Sequence, residues 1–106
     1  MGYYTQYDVN ISGIDNANQA VKIAREYELD GYDVSGDGTK VSANFNTKWY
    51  GWKEESVAFS RNYPRILIEI NGEGEESGDI WKARIRNGVC EIINAKIVFD
   101  DFKVVV

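Results

Sequence analysis

Alternating polar and apolar residues predict β-strands along most of the chain. Within residues 3–11, Tyr7, Val9 and Ile11 fall on one side and polar residues on the other, which is typical of a strand with one solvent-facing side. The same pattern predicts strands at residues 40–48, 65–70, 80–86, 89–93 and 96–106. Asn87-Gly88 favours a tight hairpin between two of them, and residues 32–35 are expected to pair with the strand at 40–48.

Two stretches have helical spacing instead. Small apolar residues recur every three or four positions across residues 17–27, which predicts a helix packed closely on a sheet. Asp15 or Asn16 can cap its first turn, and Gly31 is expected to take the left-handed conformation that ends it. A second helix is predicted at residues 53–62, just before the single proline.

The order of these elements predicts an α+β fold. Helices are expected on one face of a mainly antiparallel sheet, and the order of strands and helices suggests a ferredoxin-like core. A length of 106 residues with 43% hydrophobic content predicts one domain over residues 1–106. The lone Cys90 cannot form an intrachain disulfide and is expected to be a small buried residue of a strand.

The acidic composition argues against some classes of binding partner and favours others. A net charge of −5 argues against binding nucleic acid by neutralising phosphates, and it favours a partner with a basic surface. The chain contains no apolar run long enough for a membrane span, and its first residues lack a signal-peptide pattern. We therefore expect a cytoplasmic protein without a membrane partner.

The residue types needed for common catalytic sites are missing. Histidine is absent and there is one cysteine, which removes the usual general base, the serine triad and a thiolate zinc site within one chain. Carboxylates remain as a route to glycoside hydrolysis, but an exposed loop does not hold them at a fixed separation. We expect no catalytic residues, cofactor or metal, and we interpret the calcium-loop-like residues 33–38 as a turn because Asn44 replaces the bidentate Glu.

The most unusual predicted surface is a glycine-rich acidic loop at residues 71–79. It contains Glu73, Glu75, Glu76 and Asp79. It can be a solvated hairpin tip, a site for a divalent cation or an epitope for a basic partner, which would relieve the repulsion among its carboxylates.

A second candidate surface is the aromatic stretch Trp49, Tyr50 and Trp52. Such residues suit the centre of a protein interface or a platform for nucleobases, and they also suit a core corner between strand and helix. Neighbouring residues of a strand face opposite sides, so one of Trp49 and Tyr50 is expected to be partly exposed. The only basic stripe consists of Lys82, Arg84 and Arg86 with Lys96 beside it, which an ordinary solvated sheet face also explains.

Two segments carry a resemblance to a known family. Residues 45–49 (Phe-Asn-Thr-Lys-Trp) and 62–64 (Asn-Tyr-Pro), within the span 41–81, resemble the small ferredoxin-like YubB-type proteins of phages and mobile elements. The first segment departs from that family's Trp-Gly-Thr-Lys-Trp element. The resemblance implies no catalytic residues. It implies a small accessory protein of a kind that often blocks host proteins, including CRISPR and other defence systems.

These observations lead to ranked hypotheses. The first is a non-enzymatic inhibitor of a host protein with a basic surface, such as a CRISPR nuclease or another defence factor, acting through the acidic and aromatic residues. The alternative is a module that binds a nucleotide or single-stranded nucleic acid on the sheet face through Arg84, Arg86 and an aromatic residue; a carboxylate enzyme ranks third. The valine-rich residues 104–106 can form an edge strand that pairs with a second copy, or a central strand of the monomer.

Overall fold

The computed structural model describes residues 4–76 and 78–94, which form an α+β fold. The strands are β1 (Thr5–Ser12), β2 (Asp33–Val34), β3 (Val41–Thr47), β4 (Leu67–Gly74), β5 (Ile80–Arg86) and β6 (Val89–Asn94); the helices are α1 (Ala17–Glu26) and α2 (Trp52–Asn62). The expectation of an α+β domain with two helices is therefore confirmed. The strands and turns predicted after residue 94, and residues 1–3, lie outside the described residues.

All strand pairs in the sheet are antiparallel, in the order β2-β3-β1-β4-β5-β6. β1 lies between β3 and β4, so the connection through α2 joins two strands that flank it. The two helices meet on one face of the sheet, where Tyr27, just after α1, stacks on Phe59 of α2 and its hydroxyl is hydrogen-bonded to that of Ser56. The other face, which we call the open face, carries the alternate strand residues.

The core lies between the helices and the inward side of the sheet. Val9, Ile11, Ile70 and Ile85 are fully buried there, and Ile23 of α1 packs among them. Burial of one such side chain stabilises the fold by about 1.5–3 kcal/mol. The alternation predicted for β1, β4 and β5 therefore identifies the inward positions correctly.

The start of α1 agrees with expectation, but the residue that closes its end does not. Asn16 caps the first turn, since its Oδ1 accepts a hydrogen bond from the Gln19 amide at 2.9 Å. The helix ends at Glu26, and Glu28 takes the left-handed conformation with φ of 60°. Gly31 is also left-handed at φ of 62°, but it lies beyond the turn that closes the helix.

The prediction that residues 71–79 form a loop is wrong for the first four of them. β4 continues to Gly74, pairing with β1 throughout and with β5 as far as Glu73, so only residues 75–79 connect β4 to β5. The Gly74 amide donates to the Asp79 carbonyl at 2.8 Å and closes this connection. Two neighbouring strands hold the acidic segment extended, a nonlocal effect that overrides the turn preference of its glycines.

The other hairpins agree with expectation. Asn87 and Gly88 both have positive φ, at 45° and 80°, as the two-residue turn between β5 and β6 requires. Residues 35–40 form the turn between β2 and β3, as interpreted from the sequence. Neither helix within the described ranges is long and apolar enough to cross a membrane.

Candidate functional site

Both candidate surfaces lie at one end of the sheet. Thr5 at the start of β1 pairs with Thr47 at the end of β3 and with Gly74 at the end of β4. The aromatic stretch follows β3 and the acidic connection follows β4. Because neighbouring strands are about 4.8 Å apart, the two segments leave the sheet roughly 10 Å from each other. We call this the acidic end.

Trp49 is half-buried and forms the centre of an aromatic cluster at this end. Its ring meets Tyr7 and Tyr27 edge to face, with centroids 5.5 Å and 5.9 Å away, and Phe45 at 5.8 Å. The Tyr7 hydroxyl donates to the Trp49 carbonyl at 3.0 Å. The indole Nε1 donates to Glu55 of α2, so Trp49 is fixed on both its apolar and its polar side.

Trp52 belongs to a stacked pair that contacts this cluster through Tyr7, whose ring meets that of Trp81 edge to face with centroids 6.0 Å apart. It stacks on Trp81 of β5 with centroids 4.4 Å apart and an angle of 18° between the rings. Trp81 in turn covers Gly72, at which a Cβ would overlap the indole ring. Gly72 is therefore needed for close approach of an aromatic ring, and the pair anchors the first turn of α2 to the sheet.

Tyr50 is the exposed member of the stretch, with 70% of its surface accessible. Its neighbour Trp49 faces the cluster, so one of the two is exposed as expected, although both residues lie after the end of β3 and not in a strand. The three predicted residues therefore separate into a cluster centre, an exposed ring and half of a stacked pair. They do not form one continuous contact patch.

The four predicted carboxylates of the acidic segment do not share one environment. Glu73 lies in β4 with its side chain exposed on the open face, while Glu75 and Glu76 are exposed in the connection and Asp79 is half-buried. Glu75 Oε1 accepts a hydrogen bond from the Tyr4 amide at 2.9 Å. The Lys48 Nζ lies over the Tyr4 ring, 4.9 Å from its centroid. Tyr4 therefore links the acidic connection to the end of β3.

A cleft of about 420 Å³ opens beside the aromatic cluster. One wall is the end of α1 and the turn after it, with Glu26, Glu28 and Asp30, and the other combines the end of β3 with α2. The remaining lining residues are Tyr27, Leu29, Phe45, Asn46, Thr47, Lys48, Trp49, Glu55 and Phe59. The cleft therefore combines aromatic rings with four carboxylates and one ammonium group.

Two of the cleft carboxylates are already engaged. Glu26 accepts a hydrogen bond from the Tyr63 hydroxyl, which raises the pKa of Tyr63 to about 12. Glu55 accepts from Trp49. Among the described residues, the carboxylates of Glu28 and Asp30 have no hydrogen-bond or ion-pair partner. They are the acidic groups that remain available to a ligand.

The turn that holds Glu28 is unusual. The Leu29 amide donates to the Ala24 carbonyl at 3.0 Å and the Glu28 amide to the Arg25 carbonyl at 3.1 Å, which is the double closure of a Schellman motif. Its left-handed position usually holds glycine, because a Cβ there costs roughly 1–2 kcal/mol. Leu29 is buried and anchors the turn, so Glu28 is held at the rim of the cleft.

The open face has a different character. Glu69 of β4 lies opposite Arg84 of β5, and their charged groups form an ion pair at 3.5 Å. Lys82 and Arg86 line the same strand, while Lys96 lies outside the described residues. No outward-facing position of the six described strands is aromatic, because Trp81, Phe45 and Tyr7 all face the helices.

Within residues 4–76 and 78–94, no three Cys, Asp or Glu side chains are grouped so that they could hold a metal ion. In the calcium-loop-like segment, Asp37 accepts hydrogen bonds from the Ser35 hydroxyl at 2.7 Å and from the Thr39 amide and hydroxyl at 3.1 Å and 2.8 Å. Its carboxylate closes the turn between β2 and β3.

No family model, curated protein or solved structure matches this chain. The resemblance to YubB-type proteins therefore stays a prediction.

The cleft was not foreseen from the sequence, although several of its residues were noted. Tyr27 falls within the helix predicted at residues 17–27, and Trp49 belongs to the aromatic stretch predicted as a candidate surface. Glu28 and Asp30 gave no signal, because each is an ordinary charged residue near a helix end. Only the packing of α1, β3 and α2 brings these residues together.

Proposed function

We propose that the chain is a non-enzymatic interaction protein that binds and inhibits a host protein with a basic surface. The observation that carries the proposal is the convergence of acidic and aromatic residues at one end of the sheet. Aromatic rings contribute large contact area with few rotatable bonds, and acidic groups around them orient a basic partner during association. An interface of this kind needs no catalytic side chain.

The proposed setting is a phage or mobile element, and the proposed targets are CRISPR nucleases or other defence factors. Nucleases carry basic surfaces for their substrate, which an acidic protein can occupy. We propose that β1 to β4, in the order β2-β3-β1-β4 with α1 and α2 as connections on one face, form a ferredoxin-like core. Such a core, extended by β5 and β6, supports the resemblance on which this setting rests. Action in the host cytoplasm belongs to the same proposal.

The alternative, a nucleotide or single-stranded nucleic-acid module, has less support. It requires an aromatic platform beside Arg84 and Arg86, and the described strands carry no aromatic residue on the open face. Arg84 is also paired with Glu69. A titration with labelled oligonucleotides at low salt tests this alternative directly, since such binding weakens as salt rises.

The main test is capture of a defence nuclease by the tagged protein after nuclease treatment, with identification by mass spectrometry. Reversing Glu73, Glu75 and Glu76 to Lys is expected to abolish capture, because it removes negative charge from the acidic end and adds positive charge. The circular dichroism spectrum should be unchanged, since all three side chains are exposed.

A matched control carries the same charge change elsewhere. Asp15, Asp33 and Glu91 are exposed and lie outside the acidic segment and the cleft, so their reversal to Lys is expected to retain most of the captured partner. Equal loss in both triple variants would show that only net charge matters. Unchanged capture by the first variant would remove the acidic segment from the interface, and recovery of nucleic acid alone would favour the alternative.

A further inference from the structure

The cleft beside Trp49 offers a more specific contact than a general acidic surface. The rings of Phe45, Trp49 and Phe59 lie in one wall, and the exposed residues Glu28 and Asp30 lie at its rim. Aromatic faces attract cations, and carboxylates form their strongest hydrogen bonds with charged donors. This combination is suited to a cationic side chain.

The single lysine of the cleft does not satisfy these carboxylates. The Lys48 Nζ lies 4.9 Å from the centroid of the Tyr4 ring, and Tyr4 is not a lining residue. No ion pair between Lys48 and a described carboxylate is formed. Negative charge at the rim is therefore left for an external cation.

The edge of β3 runs along the same cleft. β2 pairs only with Val41 and Ser42, so beyond them no described strand pairs with this side of β3. Asn46 and Thr47 near its end line the cleft. An extended segment of a partner can lie along such an edge and point a side chain into the cavity.

We propose that the cleft receives an arginine side chain from an extended basic segment of the partner protein. This inference rests on the proposed function and identifies one contact of that interface. Arginine fits better than lysine because its planar guanidinium stacks on aromatic faces and can donate to two carboxylates together. Glu28 and Asp30 accept those hydrogen bonds, and Trp49, fixed by Glu55 and Tyr7, lies in the wall against which the guanidinium packs.

The test is a titration of the ¹⁵N-labelled protein with the peptide acetyl-Ala-Arg-Ala-amide, followed by NMR. The indole N–H resonance of Trp49 should shift and saturate, because Trp49 and its hydrogen-bond partner Glu55 both line the cleft. The citrulline peptide has the same shape without the charge and is expected to give no saturable shift. The lysine peptide should bind more weakly than the arginine peptide.

A pair of double variants locates the contact. Glu28→Gln with Asp30→Asn should weaken binding of the arginine peptide about tenfold or more, through loss of two charge-assisted acceptors. Glu75→Gln with Glu76→Gln removes the same charge from the β4–β5 connection and should change the affinity less than twofold. Equal binding of the citrulline peptide, no saturable shift at Trp49, or equal weakening in both double variants would overturn the proposal.

The same variants separate this inference from the proposed function. Undiminished capture of the partner by the Glu28→Gln, Asp30→Asn variant would refute the arginine contact while the inhibitor function stands. Absence of any protein partner, together with saturable binding of the arginine peptide, would refute the inhibitor function while the cleft stands as a guanidinium site.

Discussion

The two ends of the sheet are held together by different interactions. At the acidic end, Trp49 and the Trp52–Trp81 pair supply ring contacts, and the carboxylates of Glu28 and Asp30 have no partner among the described residues. At the opposite end, where β1 ends and β3 begins, polar groups close the turns. Asn16 caps α1 there, and Asp37 accepts three hydrogen bonds.

This difference distinguishes polar residues that stabilise the fold from polar residues that are available to bind a ligand. Asp37 is exposed, yet its hydrogen bonds, above all the one from Ser35, lower its pKa to about 2. Its charge is therefore used inside its own turn. Glu28 occupies a left-handed turn position, and its carboxylate has no hydrogen-bond or ion-pair partner among the described residues. A charged residue that lies in a strained backbone conformation and has no partner inside the protein is a candidate for binding an external ligand.

The largest expected effect comes from breaking the aromatic packing at the acidic end. Gly72→Ala would place a Cβ where the Trp81 ring lies, so the ring must move off the sheet and its stack on Trp52 must shift. Overpacking of this kind costs about 1–3 kcal/mol. Urea unfolding followed by tryptophan fluorescence measures the change in the free energy of unfolding.

Gly36→Ala is the matched control for that experiment. Nothing lies within 4 Å of a Cβ at this position, and its backbone φ is not in the left-handed region. Its effect should therefore stay within about 0.5 kcal/mol. A loss at Gly72 no larger than that at Gly36 would contradict the role of the Gly72–Trp81 contact.

Glu28→Gly tests the two roles of this position together, because it should raise the free energy of unfolding and weaken binding of the arginine peptide. Glycine takes the left-handed conformation without the Cβ penalty, and part of the gain is offset by the greater freedom of glycine in the unfolded chain. The free energy of unfolding should rise by about 0.5–1 kcal/mol. The affinity for the arginine peptide should fall in the same variant.

A glycine in the helix itself should act in the opposite direction. Lys22 is exposed within α1, and Lys22→Gly is expected to lower the free energy of unfolding by about 0.5–1 kcal/mol. A Glu28→Gly variant that loses stability in the same way would show that position 28 carries no strain in solution.

At the opposite end of the sheet, the identities of neighbouring residues were sufficient to predict the hairpin turn and the helix cap. Asn87-Gly88 has the composition of a two-residue hairpin, and Asn16 is a favoured cap, so each turn follows from a few neighbouring residues. The extension of β4 was not predictable in this way. Gly72 and Gly74 favour a turn locally, and only pairing with β1 and β5 and the ring of Trp81 hold them extended.

The candidate site was predictable only in part, for the same reason. Strand alternation predicts one exposed ring among Trp49 and Tyr50, and Tyr50 is exposed, but both residues lie beyond β3 and therefore outside that alternation. The cleft requires Glu28, Phe45 and Phe59 to meet, and these residues come from a turn, a strand and a helix far apart in sequence. The residue pattern within a single strand or helix cannot predict that these three residues meet.

The smallest effect is expected at the opposite end, from Asp37→Asn. The pKa of Asp37 is about 2 in the folded protein, below its ordinary value of 3.8, so its charged form stabilises the folded state. That contribution is complete above pH 4 and disappears as the pH falls through 2. Wild type should therefore be more stable than the variant at neutral pH, and the difference should vanish in acid.

Thermal unfolding at a series of pH values measures this difference. Ser35→Ala provides the control, because it removes the largest cause of the lowered pKa while leaving the carboxylate in place. In that variant the acid transition of Asp37, followed by NMR, should move up toward 3.8. An Asp37→Asn variant whose stability follows that of wild type at every pH would show that this carboxylate does not hold the turn, and the contrast with Glu28 would fail.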